Sequence, residues 1–173
     1  MLIRWALALI AVCGAALMPA ADDHDFQPHK FDWPQWQGPE RNDVSHETGL
    51  LGAWPKEGPK LLWKVHGCGA GFVTPSIAAG RIFSMGNIDT TEYVICRSEK
   101  DGSELWKAEV GPVRSEGSGY PGPRSTPTVD GNRVYALGLN GDLLCLKVAD
   151  GQELWRKDLV KDLAGQAGGW GYT

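Results

Sequence analysis

The chain has 173 residues, with 17 Lys and Arg against 21 Asp and Glu, for a formal net charge of −4. That acidic balance excludes a sequence-independent nucleic-acid binder, which needs a basic face to displace counterions from phosphates. It argues equally against passive adhesion to anionic lipid.

The first element in chain order is a leader. Arg4 gives a short basic start, Trp5 to Leu17 is an apolar run, and Met18-Pro19-Ala20-Ala21 offers small residues for cleavage. A membrane-spanning helix needs about twenty apolar residues, and this run is shorter and opens directly into Asp22-Asp23-His24-Asp25. A cleaved signal peptide over 1–21 is therefore expected, placing the protein in the periplasm, cell envelope or extracellular space. The alternative is lipidation at Cys13, because Ile10-Ala11-Val12-Cys13 has the outline of a lipoprotein box, although Val12 stands where a small residue is wanted. Loss of Arg4 leaves 16 basic against 21 acidic side chains and three cysteines, Cys68, Cys96 and Cys145. An odd number cannot all pair internally. Cys96 and Cys145 hold equivalent places in successive repeats, about 10 Å apart and beyond the roughly 7 Å reach of a disulfide, so both read as small buried apolar residues.

Residues 22–59 form a lead-in rich in Pro, Gly and charge, with the acidic run read as a solvated terminus. The remainder, 60–173, is periodic. Thr74-Pro75-Ser76-Ile77 through Gly86 lies over Thr126-Pro127-Thr128-Val129 through Gly138 at an offset of 52. Val94-Ile95-Cys96 and Asp101-Gly102-Ser103-Glu104-Leu105-Trp106 lie over Leu143-Leu144-Cys145 and Asp150-Gly151-Gln152-Glu153-Leu154-Trp155 at an offset of 49. A period near fifty residues marks an array of supersecondary units, each too small to bury its own apolar face.

Within a unit the apolar residues alternate with period two, and Gly-containing turns interrupt them. The first unit predicts strands at Ser76–Ala78, Ile82–Met85, Tyr93–Arg97 and Glu104–Val110, and the second repeats the scheme up to Glu153–Leu159. Four short antiparallel strands in about fifty residues is the size of one propeller blade. The predicted fold is all-β, a β-propeller of four-stranded blades, with an orphan outer strand over 60–66, blades at 72–111 and 124–160, and the start of another at 170–173. Trp63, Trp106, Trp155, Gly102, Gly151, Pro75 and Pro127 are assigned to the repeat itself. The indoles of the fourth strands are expected to cover a neighbouring blade and donate their N–H to a carbonyl.

Ala149-Asp150-Gly151-Gln152-Glu153-Leu154-Trp155, with Ser125-Thr126-Pro127-Thr128-Val129 and Arg133-Val134-Tyr135, resembles the repeat of the PQQ-like, or quinoprotein-like, β-propellers. Asp32-Trp33-Pro34-Gln35-Trp36-Gln37-Gly38-Pro39 also resembles the start of exported, planctomycete-like bacterial members. The resemblance covers about Phe31 to Thr173 and implies the fold strongly. It implies function weakly, since the superfamily includes pyrroloquinoline-quinone dehydrogenases, assembly scaffolds of the BamB type and exported binding proteins. The dehydrogenases hold quinone over the axis with calcium and a catalytic aspartate, often beside a disulfide of adjacent cysteines. No adjacent cysteines occur here, no acid matches the catalytic aspartate, and Asp101 and Asp150 read as turn formers. The resemblance leaves pyrroloquinoline quinone and calcium as cofactors of an intact parent, with none evident in this segment.

Other constellations carry little chemistry. Gly67-Cys68-Gly69-Ala70-Gly71 runs into a strand rather than a helix, so it is no phosphate loop. His66 and Cys68 lack further metal ligands at suitable spacing. The long connection Gly111 to Arg124 and the segment 161–172 supply the candidate binding residues: Arg114, Tyr120, Arg124, Trp170 and Tyr172, a rim for an anionic or peptide ligand. A ring needs at least four blades, so the reading is the N-terminal fragment of a longer protein whose C-terminal blades pair with residues 61–65. Its expected role is a binding or scaffold platform without a catalytic site, with a protein or small-molecule partner.

Overall fold

The computed structural model describes residues 29–114 and 120–173. The expected signal peptide, Cys13 and the acidic run at 22–25 lie outside the described residues. Two four-stranded antiparallel sheets carry the regular structure. The first is β1 (Ser76–Ala78), β2 (Arg81–Ile88), β3 (Thr91–Ser98) and β4 (Glu104–Pro112), in that spatial order. The second is β5 (Thr128–Asp130), β6 (Arg133–Leu137), β7 (Asp142–Lys147) and β8 (Glu153–Asp158), again in order. The four strands expected in each of the two units are present, and β2 and β3 extend a few residues further into a long hairpin, whereas the outer strand expected over 60–66 forms no strand among the described residues.

Turn chemistry sets these registers. Ala79 and Gly80 both adopt positive φ, 50° and 69°, as a two-residue hairpin between right-twisted strands requires. Asp101 Oδ1 accepts from the Ser103 amide at 3.0 Å and hydroxyl at 2.7 Å, and Asp150 Oδ1 accepts from the Gln152 amide at 2.9 Å. These side chains close the β3–β4 and β7–β8 turns.

Register also decides which face meets which. Phe83 stands opposite Cys96, and Cys96 opposite Trp106, on one face of the first sheet. That face packs onto Val134, Ala136, Leu144 and Leu146 of the second sheet, forming a single apolar core. The corresponding face of the second sheet, Tyr135, Cys145 and Trp155, points away from this joint. β1 neighbours β5, so the first strands converge as blades do around a propeller axis.

The joint has a repeated lock. The Trp106 indole N–H donates to the Val148 carbonyl at 2.9 Å, and a Cβ on Gly151 would lie 2.6 Å from the Trp106 ring. One repeat earlier the same parts recur: the Trp63 indole N–H donates to Glu99 O at 3.1 Å, and a Cβ on Gly102 would lie 2.8 Å from the Trp63 ring. Residues 60–66 have no sheet partner among the described residues, yet Trp63 covers the first blade as Trp106 covers the second. Trp155, third in the series, is 42% exposed.

The lead-in has a role that its composition did not indicate. Trp33 and Ile77 exchange both backbone hydrogen bonds, at 2.8 and 2.9 Å, and Val129 N donates to Pro34 O at 2.8 Å. Asp32 Oδ2 accepts from Ala79 N at 3.0 Å. Residues 32–34 therefore lie along the first strands of both sheets and satisfy edge groups that would otherwise face solvent.

Cys96 and Cys145 are buried free thiols and Cys68 is exposed. Burial pushes the Cys96 thiol up to about 12 and raises Cys145 as well, which suppresses the reactive thiolate. Maleimide labelling of the folded chain, read by peptide mass, should modify Cys68 within minutes and leave Cys96 and Cys145 untouched until denaturant is added.

Candidate functional site

Four of the five rim residues expected from the sequence come together where the connection after β4 meets the segment after β8. The Arg124 guanidinium donates to the carbonyls of Tyr120 at 2.9 Å and Trp170 at 3.2 Å, with a longer contact to Gly122 at 3.4 Å. It also sits 5.4 Å from the Trp170 ring centre, a cation–π arrangement. Both terminal nitrogens of Arg114 approach Gly168 O at 3.4 Å. Tyr120 meets Phe72 edge to face, with ring centres 5.5 Å apart.

Tyr172 belongs elsewhere. Its amide donates to Leu139 O at 3.1 Å, and its ring packs where a Cβ on Gly141 would lie 2.7 Å away. Its hydroxyl is buried without a partner among the described residues. The side chain holds the β6–β7 turn instead of facing the rim.

Beside Arg124 opens a pocket of about 520 Å³ lined by Trp36, Arg124, Ser125, Thr126, Leu137 and Thr173. Its volume suits a small molecule or a short stretch of peptide. Trp36 is 60% exposed, and the Ser125 hydroxyl is buried without a hydrogen-bond partner among the described residues. Neither Arg114 nor Arg124 pairs with a carboxylate among the described residues, whereas Arg97 and Arg156 do. The rim thus combines two guanidinium charges, aromatic surface and hydroxyl groups.

Sequence reasoning missed Trp36, Ser125, Thr126, Leu137 and Thr173 as lining. Trp36 sits in the distinctive Trp33-Pro34-Gln35-Trp36 run, but it reaches the pocket only because the lead-in pairs with β1 and touches β5. The glycine-rich run at 67–71 packs against β2 through its backbone. Ala70 exchanges backbone hydrogen bonds with Asn87 at 2.8 and 2.9 Å, and a Cβ on Gly69 would lie 2.7 Å from Asn87 O. Its glycine permits close backbone approach.

Among the described residues no group of three or more His, Cys, Asp or Glu side chains converges to hold a metal ion. Among the described residues the pocket lining holds no Asp or Glu side chain. Calcium takes six to eight oxygens, with carboxylates prominent among them, so the described lining residues do not fit a calcium-bound quinone.

Comparison with known proteins follows the architecture. The PQQ_2 family model, described as outer membrane protein assembly factor BamB, matches residues 90–168. Among solved structures the chain is similar to a quinohemoprotein alcohol dehydrogenase from Comamonas testosteroni, with 18% sequence identity and a TM-score of 0.56. The match covers 80% of this chain and 20% of that one, so it is a likeness of fold, and the chain spans about a fifth of that protein's length. No curated protein matches the chain.

Proposed function

We propose that this chain, which is built of PQQ-like β-propeller repeats, is the binding part of an exported platform that takes an acidic, extended ligand at the rim of its blades. The observation that carries this reading is the pocket beside Arg124, where guanidinium charge, the Trp36 indole and a buried Ser125 hydroxyl, without a partner among the described residues, converge. Such a mixture of apolar surface and a few placed polar groups is the usual make-up of a recognition site. Leu137 of β6 anchors the lining to the second sheet, and the loops around it adapt to the ligand. Export through the N-terminal leader places this platform in the cell envelope or outside the cell. Further blades, where the whole protein has them, pair with residues 61–65 and complete the ring.

The rival is a segment of a quinone- and calcium-dependent dehydrogenase, which the fold likeness alone favours. The two readings separate in one assay. A titration of the chain with an acidic, tyrosine-containing peptide should give saturable binding that perturbs the tryptophan emission. Trp36→Ala and Arg124→Ala should each weaken it by roughly tenfold or more, in line with loss of an aromatic or arginine anchor, while the circular dichroism stays unchanged. Addition of pyrroloquinoline quinone and calcium with an alcohol and a redox dye should give no dye reduction. Peptide binding indifferent to both substitutions, or quinone-dependent dye reduction, would overturn the proposal.

A further inference from the structure

The joint between the sheets contains a carboxyl group that the repeat does not require. Glu92 on β3 is 2% exposed and shares its face with the apolar core. Its carboxyl oxygens accept the Leu139 amide at 3.2 and 3.4 Å, a bond that crosses from the first sheet to the β6–β7 turn of the second. Directly opposite Glu92 in the β2–β3 ladder stands Asn87, whose side-chain oxygen and nitrogen are both buried without a partner among the described residues. The charged groups facing the carboxyl are Asp142 at the start of β7 and, through Asp142, Arg156 on β8. Arg156 pairs with Asp142 at 3.5 Å and with Glu153 at 2.9 Å, and donates to the Val110 and Glu109 carbonyls of the first sheet. Arg156 is thus already engaged, and no basic side chain is paired with Glu92 in the described structure.

The turn that Glu92 holds bears other weight. Asn140 Nδ2 donates to Pro112 O at 2.8 Å, Leu159 N donates to Gly141 O at 2.9 Å, and Tyr172 N donates to Leu139 O. A Cβ on Gly138 would lie 3.1 Å from the Glu92 carboxyl, so the turn is glycine where the acid approaches it. The turn is thereby bonded both to the end of β4 and to the segment around Tyr172.

We propose that Glu92 is a pH-sensitive latch between the two blades, closed while its carboxyl is neutral and loosened at the Leu139–Gly141 turn once it ionises. The neutral acid keeps its acceptor for the Leu139 amide and gains an O–H donor in a site where the Asn87 oxygen lacks one. The ionised acid is desolvated beside the Asp142 carboxylate, and opening the turn lets water reach it. Burial first, and Asp142 in addition, push its pKa from 4.5 to about 7, against the opposing Leu139 hydrogen bond. An acid with a raised folded pKa favours the folded state most at low pH. That advantage declines as pH rises above the unfolded value of 4.5 and is gone once pH passes the folded value near 7.

The test is urea unfolding of the 173-residue chain and of Glu92→Gln from pH 5 to pH 8. The unfolding equilibrium constant of the wild type should rise on the order of 10- to 100-fold over that range, and the glutamine variant should lose most of this rise. Backbone exchange at Leu139, corrected for its intrinsic rate, should quicken over the same range in the wild type only. An equal pH dependence in both proteins, or none in either, would overturn the latch. Should the variant not fold, the carbon-13 shift of the Glu92 carboxyl in the wild type decides. A midpoint near 7 upholds the proposal, and one near 4.5 refutes it.

Discussion

Replacing Trp106 by alanine should cost about 3–5 kcal/mol of unfolding free energy, as truncation of a buried aromatic does, while Trp155→Ala should cost about 1 kcal/mol or less. The two tryptophans hold the same place in their repeats, opposite Cys96 and Cys145. Their environments differ. Trp106 is 9% exposed, sits over Gly151, and gives its N–H to Val148 O, so its removal leaves a cavity in the joint and an unpaired carbonyl. Trp155 is 42% exposed and contacts Tyr135 at 6.0 Å between ring centres. Urea midpoints for the two variants at one pH measure the difference. Equal losses would mean that the sheets do not stack through the Trp106 face.

Gly102→Ala should cost about 2–4 kcal/mol, combining the left-handed backbone term of about 1–2 with overpacking of about 1–3. Gly102 has φ of 73°, and an added Cβ would lie 2.7 Å from Val65 Cγ1 and 2.8 Å from the Trp63 ring. Gly131 is the control, because its φ of 55° is also left-handed but nothing lies within 4 Å of its added Cβ. Gly131→Ala should therefore pay the backbone term alone, about 1 kcal/mol. The excess at Gly102 measures how firmly residues 60–66 rest on the first blade. Equal costs at the two glycines would show that the Trp63 segment does not dock.

The blades were legible because their information is local and repeated. Ile82 and Phe83 against Val134 and Tyr135, Cys96 against Cys145, and the Asp-Gly turns all recur in register, and period-two alternation names the strands without tertiary knowledge. The lock was legible in part: the indoles were expected to find carbonyls, and Trp106 and Trp63 do, while Trp155 remains exposed.

Glu92 escaped notice for a physical reason. The offset falls from 52 to 49 between Gly86 and Val94 because the β2–β3 hairpin is three residues longer than the β6–β7 hairpin. Glu92 lies in that unmatched stretch, where comparison of the repeats offers no partner. The lead-in escaped notice because its pairing with Ile77 and Val129 uses backbone groups, which leave no side-chain pattern to read. Arg114, Tyr120, Arg124 and Trp170 were recognisable as loop residues of binding type. Their meeting through the Gly168 and Trp170 carbonyls depends on where two loops return in space, and so does the separation of Tyr172 from them.

Repetition of one joint along the chain is the centre of this account, and indole N–H exchange followed by nuclear magnetic resonance probes it most directly. The Trp106 Nε1–H, buried against Val148 O, should exchange with solvent far more slowly than the Trp155 Nε1–H, with Trp63 slowed as well through Glu99 O. Fast exchange at Trp106, or matching rates at Trp106 and Trp155, would contradict the stacking of successive blades described above.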